Sequence, residues 1–98
     1  MSKASVERRL RQVGDRLRQL REELGVTDEQ LAQLADVADD ARLRALVSET
    51  PLAGEDDRLA GRHADAMRRH RDHVAGEIER LERSQDELLD QFVAESRN

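Results

Sequence analysis

The chain has 98 residues, 40% of them charged, with a formal net charge of −5 and a mean hydropathy of −0.86, so it supplies at most one domain and little material for a globular core. The absence of Cys, Trp and Tyr, with a single Phe, excludes disulfides and thiol enzymes and leaves almost no surface for stacking bases or sugars. Leu, Ile, Val and Phe together number 22, just above the roughly 20% below which disorder becomes the better expectation, so order requires these residues to fall in register along a narrow stripe.

They do so from Val6 onward. Val6, Leu10, Val13, Leu17, Leu20 and Leu24 alternate in steps of four and three, the spacing of a coiled-coil seam. Gly25 fits the left-handed position after a helix end. Thr27 and Gln30 then read as a capping box, with Val26 and Leu31 as its hydrophobic staple. The spacing therefore predicts a helix over 3–24 and a second over 28–48 whose seam, Thr27, Leu31, Leu34, Ala38, Ala41 and Ala45, continues with smaller residues. Thr50 and Pro51 mark another start, as N-cap and first helical residue. A long helix is expected over 51–95, with Leu59, His63, Met67, His70, Val74, Ile78, Leu81, Gln85, Leu88 and Phe92 along its seam.

Such a helix is about 67 Å long, and the first two laid end to end total about 65 Å. The expected fold is all-α: a kinked antiparallel helical hairpin or coiled coil, two shorter helices stacked end to end against one long helix, in a single domain over 1–98. Charge favours the same pairing. Residues 1–24 carry seven bases and four acids, 25–57 two and nine, 58–75 five and two, and 76–98 three and seven. The signs alternate by quarter, so a hairpin sets opposite charges together, at about 0.2–1 kcal/mol for each exposed pair.

Candidate chemistry is sparse. His63, His70 and His73 invite a metal hypothesis, with Asp36, Asp39 and Asp40 across the hairpin, because imidazole with carboxylate suits zinc. The seven-residue interval, however, sets His63 and His70 about 10 Å apart, too far to share an ion, and histidines packed along the seam are the simpler reading. No metal or cofactor is expected. No nucleophile, base and orienting group can be assembled, nor a phosphate-cradling loop, so an enzyme is not expected. The cluster Arg68-Arg69-His70-Arg71 reads as a face paired with the acidic second quarter rather than a nucleic-acid site.

The stretch from Arg16-Leu17-Arg18 through Gly25-Val26-Thr27 to Leu34-Ala35 resembles the first two helices of repressor-type helix-turn-helix domains, which would imply DNA binding. The Asp36-Val37-Ala38-Asp39-Asp40 that follows sets acids against phosphate. Ser48-Glu49-Thr50-Pro51-Leu52-Ala53 and Arg62-His63-Ala64-Asp65-Ala66-Met67 resemble small uncharacterised helical-hairpin proteins of actinobacteria, a likeness that implies no activity. In shape and charge, a hairpin with an acidic tip is also similar to the transcription factors that insert a coiled-coil rod into the RNA polymerase secondary channel.

The tip gathers Glu49, Glu55, Asp56 and Asp57, the candidate partner-binding residues. Beside them Val37, Leu43, Leu46 and Val47 lie off the seam and are the candidate self-association surface. The function expected is a non-enzymatic protein-protein interaction or adaptor module that forms a homodimer. The alternative is a regulator of a macromolecular machine such as RNA polymerase, acting through the acidic tip; DNA binding ranks below both. No run approaches the roughly 18 apolar residues of a membrane span, and the amino-terminal residues lead into a charged segment rather than a signal core. A cytoplasmic location is expected.

Overall fold

Small hydroxyl side chains open both helices of the computed structural model, which describes residues 2–97. Ser2 precedes α1 (Lys3–Ser48) and its Oγ accepts from the Ser5 N–H at 3.2 Å, while its carbonyl accepts from the Val6 N–H at 3.0 Å. Thr50 precedes α2 (Pro51–Ser96), where its Oγ1 accepts from the Ala53 N–H at 3.2 Å and its carbonyl from the Gly54 N–H at 3.1 Å. Each cap satisfies donors that a helix start would otherwise leave unbonded. Pro51 sits where its missing N–H is of no consequence. The predicted second boundary is thus the observed one.

The two helices are each 46 residues long, and no strand occurs among the described residues. None of the described helices is long and apolar enough to cross a membrane. Glu49 carries the chain between them at φ 51°, and its N–H donates to the Ala45 carbonyl at 3.2 Å, which closes α1. That left-handed conformation is disfavoured for a residue with a Cβ, and glycine is the usual occupant after a helix end.

The expected break at residues 25–27 does not occur. α1 runs through it, no glycine has a positive φ among the described residues, and Val26 is 54% exposed rather than folded back as a staple. So the first two of the three expected helices are one. The reason is the seam itself: Leu24, Thr27 and Leu31 keep the four-three alternation only if the helix continues, and Thr27 is 3% exposed on that stripe. A capping box gains about 1 kcal/mol, whereas a turn there would rotate every later seam residue out of line. Holding Gly25 in the helix costs about 1 kcal/mol relative to Ala. The helix-turn-helix resemblance loses its turn by the same observation.

The chain divides into two units, each containing a piece of both helices. In the unit of residues 2–23 and 74–97, the buried residues are Val6, Val13, Leu17 and Leu20 from α1 and Val74, Ile78 and Leu88 from α2. Leu10, Leu81, Gln85 and Phe92 are half-buried on the same stripes. Lys3 Nζ lies 5.3 Å from the Phe92 ring centre. Arg16 and Arg21 of α1 reach Glu77 and Glu82 of α2 at 3.4 and 3.9 Å, first quarter to last as the charge pattern predicts.

The unit of residues 24–73 has a leaner interior. Only Thr27, Ala41 and Ala64 are buried, with Leu31, Leu34, Ala38 and Ala45 of α1 half-buried. On α2 the expected seam is displaced by one residue. Leu59, His63 and His70 are exposed, and the inward positions are Ala53, Asp57, Ala60, Ala64, Met67 and Arg71. These six, counted back from Val74, keep a strict alternation of three and four. The rejected set needs consecutive steps of four, which drift around the helix. Larger side chains suggested the wrong line, and three of the six residues on the right one are alanines, which suit a narrow space.

Two substitutions test this account. Gly25 has open space around the position a Cβ would take, so Gly25→Ala should raise stability by about 1 kcal/mol and shift the urea midpoint upward; a glycine ending a helix with positive φ would give the opposite sign. Leu17 is 1% exposed, and Leu17→Ala should cost about 2–5 kcal/mol in the same measurement.

Candidate functional site

The surface of the 24–73 unit is divided by charge. On one side lie Asp28, Asp39, Arg42, Asp65, Arg68 and Asp72, which pair with one another or with Arg71 of the seam. Arg42 meets Asp39 at 3.9 Å and Arg68 meets Asp65 at 2.8 Å, each one turn apart. Between helices, Arg71 Nε donates to Asp28 Oδ1 at 2.9 Å, with Asp72 3.7 Å from the same guanidinium. The hydrogen bond to Asp28, then the charges of Asp28 and Asp72, raise the Arg71 guanidinium above its ordinary pKa against an opposing desolvation. This is the expected pairing of the basic cluster with the acidic second quarter, carried by a residue half-buried on the seam.

The other side is poorer in charge and contains two open grooves. One, of ≈ 230 Å³, is lined by Val37, Arg44, Asp56, Leu59 and His63 over Leu34 and Ala41. The second, of ≈ 400 Å³, is lined by Leu34, His63, Ala66, Met67 and His70. The displaced seam explains both. Because Ala60 and Ala64 point inward, Leu59, His63 and His70 stand on the groove rim instead of between the helices. Reading the histidines as seam residues hid this surface. Strict counting from Val74 would have found it.

The expected self-association residues are all exposed, Val37 at 52%, Leu43 at 57%, Leu46 at 69% and Val47 at 84%. They do not form one surface with the groove: Val37 lines it, and Leu43, Leu46 and Val47 do not. Those three, at intervals of three and four, share one outer face of the last turns of α1. Leu52 at 67% exposure follows just beyond the connection. Of the acidic residues, Glu49, Glu55 and Asp56 are exposed, Asp57 is half-buried on the seam of α2, and Asp56 alone lines a groove. The four therefore share a neighbourhood without sharing a direction.

No group of three or more His, Asp or Glu side chains among the described residues is placed to hold a metal ion. No fully buried side-chain nitrogen or oxygen among them lacks a hydrogen-bond partner. Comparison with protein-family models, with curated proteins and with solved structures finds no match for the chain.

The outer face sets its own expectation. Side chains as open as Val47 contribute little to folding, so Val47→Glu should change stability by less than about 0.5 kcal/mol, measured by urea denaturation.

Proposed function

We propose that this chain is a non-enzymatic protein-interaction module built as an antiparallel coiled-coil hairpin. The pairing is supported by the inward stripes. In the first unit Val6 would lie level with Phe92, Leu10 with Leu88, Leu17 with Leu81 and Leu20 with Ile78; in the second, Thr27 with Arg71, Leu31 with Met67, Leu34 with Ala64 and Ala38 with Ala60. The residue numbers of every pair add to the same total, as an antiparallel register without slip requires. The cross-helix pairs Arg16–Glu77, Arg21–Glu82 and Asp28–Arg71 scatter about that total by a few residues, within the reach of long side chains.

The observation that carries an interaction role is the quantity of exposed apolar surface on a chain with so little to spare. Val37, Leu43, Leu46, Val47, Leu52 and Leu59 are between 46% and 84% exposed, all in the 24–73 unit. Isolated exposed leucines need no explanation, but six in a stretch of 23 residues amount to a contact surface. At about 25 cal/mol per Å², covering a few hundred Å² offers several kcal/mol, comparable to the whole stability of a small domain. Homodimer formation and capture of a second protein each draw on part of this set. A regulator acting through the acidic residues is the competing reading, favoured by the exposure of Glu49 and Glu55 beside the connection.

Affinity capture from a native lysate separates the two. Leu43→Ser with Leu46→Ser should abolish partner capture, and Glu49→Lys with Glu55→Lys should leave it intact. The reverse pattern selects the acidic reading. A chain that captures nothing and stays monomeric overturns the interaction role.

A further inference from the structure

Each helix of the 24–73 unit carries a second stripe beside its seam. On α1 it runs Val26, Gln30, Gln33, Val37, Asp40, Arg44, and on α2 Asp56, Leu59, His63, Ala66, His70, His73. Both alternate four and three, as the seam does, and the residues lining the two grooves place them on the same side of the unit. All but three of these twelve side chains are uncharged or histidine, whereas the opposite side carries the ion pairs Arg42–Asp39, Arg68–Asp65 and Arg71–Asp28. A helix pair whose members each carry a further coiled-coil-spaced stripe, poor in charge and apolar at Val26, Val37, Leu59 and Ala66, can form one half of a four-helix bundle.

We infer that this face takes a second copy of the same chain, and that the two copies lie side by side with their inter-helix connections at the same end. This deepens the interaction reading above and rests on it, because it requires the antiparallel hairpin. A two-fold axis along the helices sets α1 of one copy on α2 of the other at unchanged level. Val37 then meets His63, Gln33 meets Ala66, Val26 meets His73, and Arg44 of each copy meets Asp56 of the other. The charge pairing is what selects this arrangement. With the stripes centred on each other, a two-fold axis across the helices would set Arg44 on Val26, Asp40 on Gln30 and Asp56 near His70, whereas the axis along the helices pairs Arg44 with Asp56 and leaves only Asp40, opposite Leu59, without a charged partner.

The dimensions agree with a real but modest interface. The stripes span 18 residues, about 27 Å, and two helices side by side are about 20 Å wide. That is on the order of 550 Å² on each copy, near the lower limit for specific association. An interface of that size with few large anchors is expected to be weak, with a dissociation constant on the order of micromolar. Leu43 and Leu46 remain outside it, free for a different partner.

Sedimentation equilibrium of the full chain and of three variants tests the assignment. The wild type should reach twice 11.2 kDa in the micromolar range, Ala66→Glu should remain monomeric with unchanged helical circular dichroism, and Leu43→Glu should still dimerise. Arg44→Glu and Asp56→Arg should each dimerise about tenfold or more weakly, because each sets like charges together across the interface, while an equimolar mixture of the two should recover a 1:1 heterodimer. Mixing restores only contacts between copies, so recovery cannot come from repair within one chain. A mixture no tighter than either variant alone, or a dimer broken by Leu43→Glu and not by Ala66→Glu, overturns the proposed face and leaves the interaction role standing. A wild type at 11.2 kDa throughout overturns self-association, and the capture experiment then decides separately whether another protein is bound.

Discussion

The alternation of four and three along α1 governs nearly everything else about this molecule. A chain with 22 large aliphatic or aromatic residues in 98 has little with which to enclose a globular core, and a narrow stripe along a helix buries a small apolar stock efficiently. From Val6 to Ala45 the stripe never misses a step, and every residue on it is buried or half-buried. Local signals that compete with it are overridden. Gly25, Thr27 and Gln30 carry the marks of a helix junction, yet a helix that stopped there would forfeit the alignment of six later seam residues to gain one cap.

The same economy shapes the distal interior. Leucine and valine fill the stripe near the chain ends, and alanine replaces them toward the connection, at Ala38, Ala41 and Ala45 on α1 and Ala53, Ala60 and Ala64 on α2. Alanine buries little area, so this unit gains less from its interior. Thr27 is buried there as well, and the half-buried Arg71, bonded to Asp28, adds a polar contact to it. The apolar side chains that a fuller interior would have taken, among them Val37, Leu43, Leu46 and Leu59, are outside instead. A unit that is thin within and apolar without would gain from contact with another surface. That is the physical content of the interaction role proposed above.

Segregation of charge follows as well. Ion pairs one turn apart stabilise a solvated helix face by a few tenths of a kcal/mol each, and they are collected on one side of the distal unit. The opposite side retains Asp40, Arg44 and Asp56 among apolar, amide and imidazole groups. Charges placed so sparingly on a face do more for the choice and orientation of a partner than for affinity. Glu49, held at φ 51°, is a separate local cost in the two-residue connection between the helices.

The sequence by itself determined the helical class, the start of α2 at Thr50 and Pro51, the seam of α1 and the proximal seam of α2. In each case the information is local: a cap bonds to amides three or four residues away, and a seam of large residues announces its own period. The exposure of Val37, Leu43, Leu46 and Val47 was legible for the same reason, since they fall off a well-marked stripe. Tertiary structure decided the rest. Whether Gly25 ends a helix depends on what packs against Leu24, Thr27 and Leu31, which no capping rule contains. Whether Leu59 and His63 or Ala60 and Ala64 face inward depends on the size of the space, and the alanines of α1 set that size from far away in the chain. Residue type favoured the larger side chains. Packing put the small ones inside, because neighbouring helices approach to the distance that their side chains allow, and by doing so it turned the histidines outward onto the face that sequence reasoning had assigned to the interior.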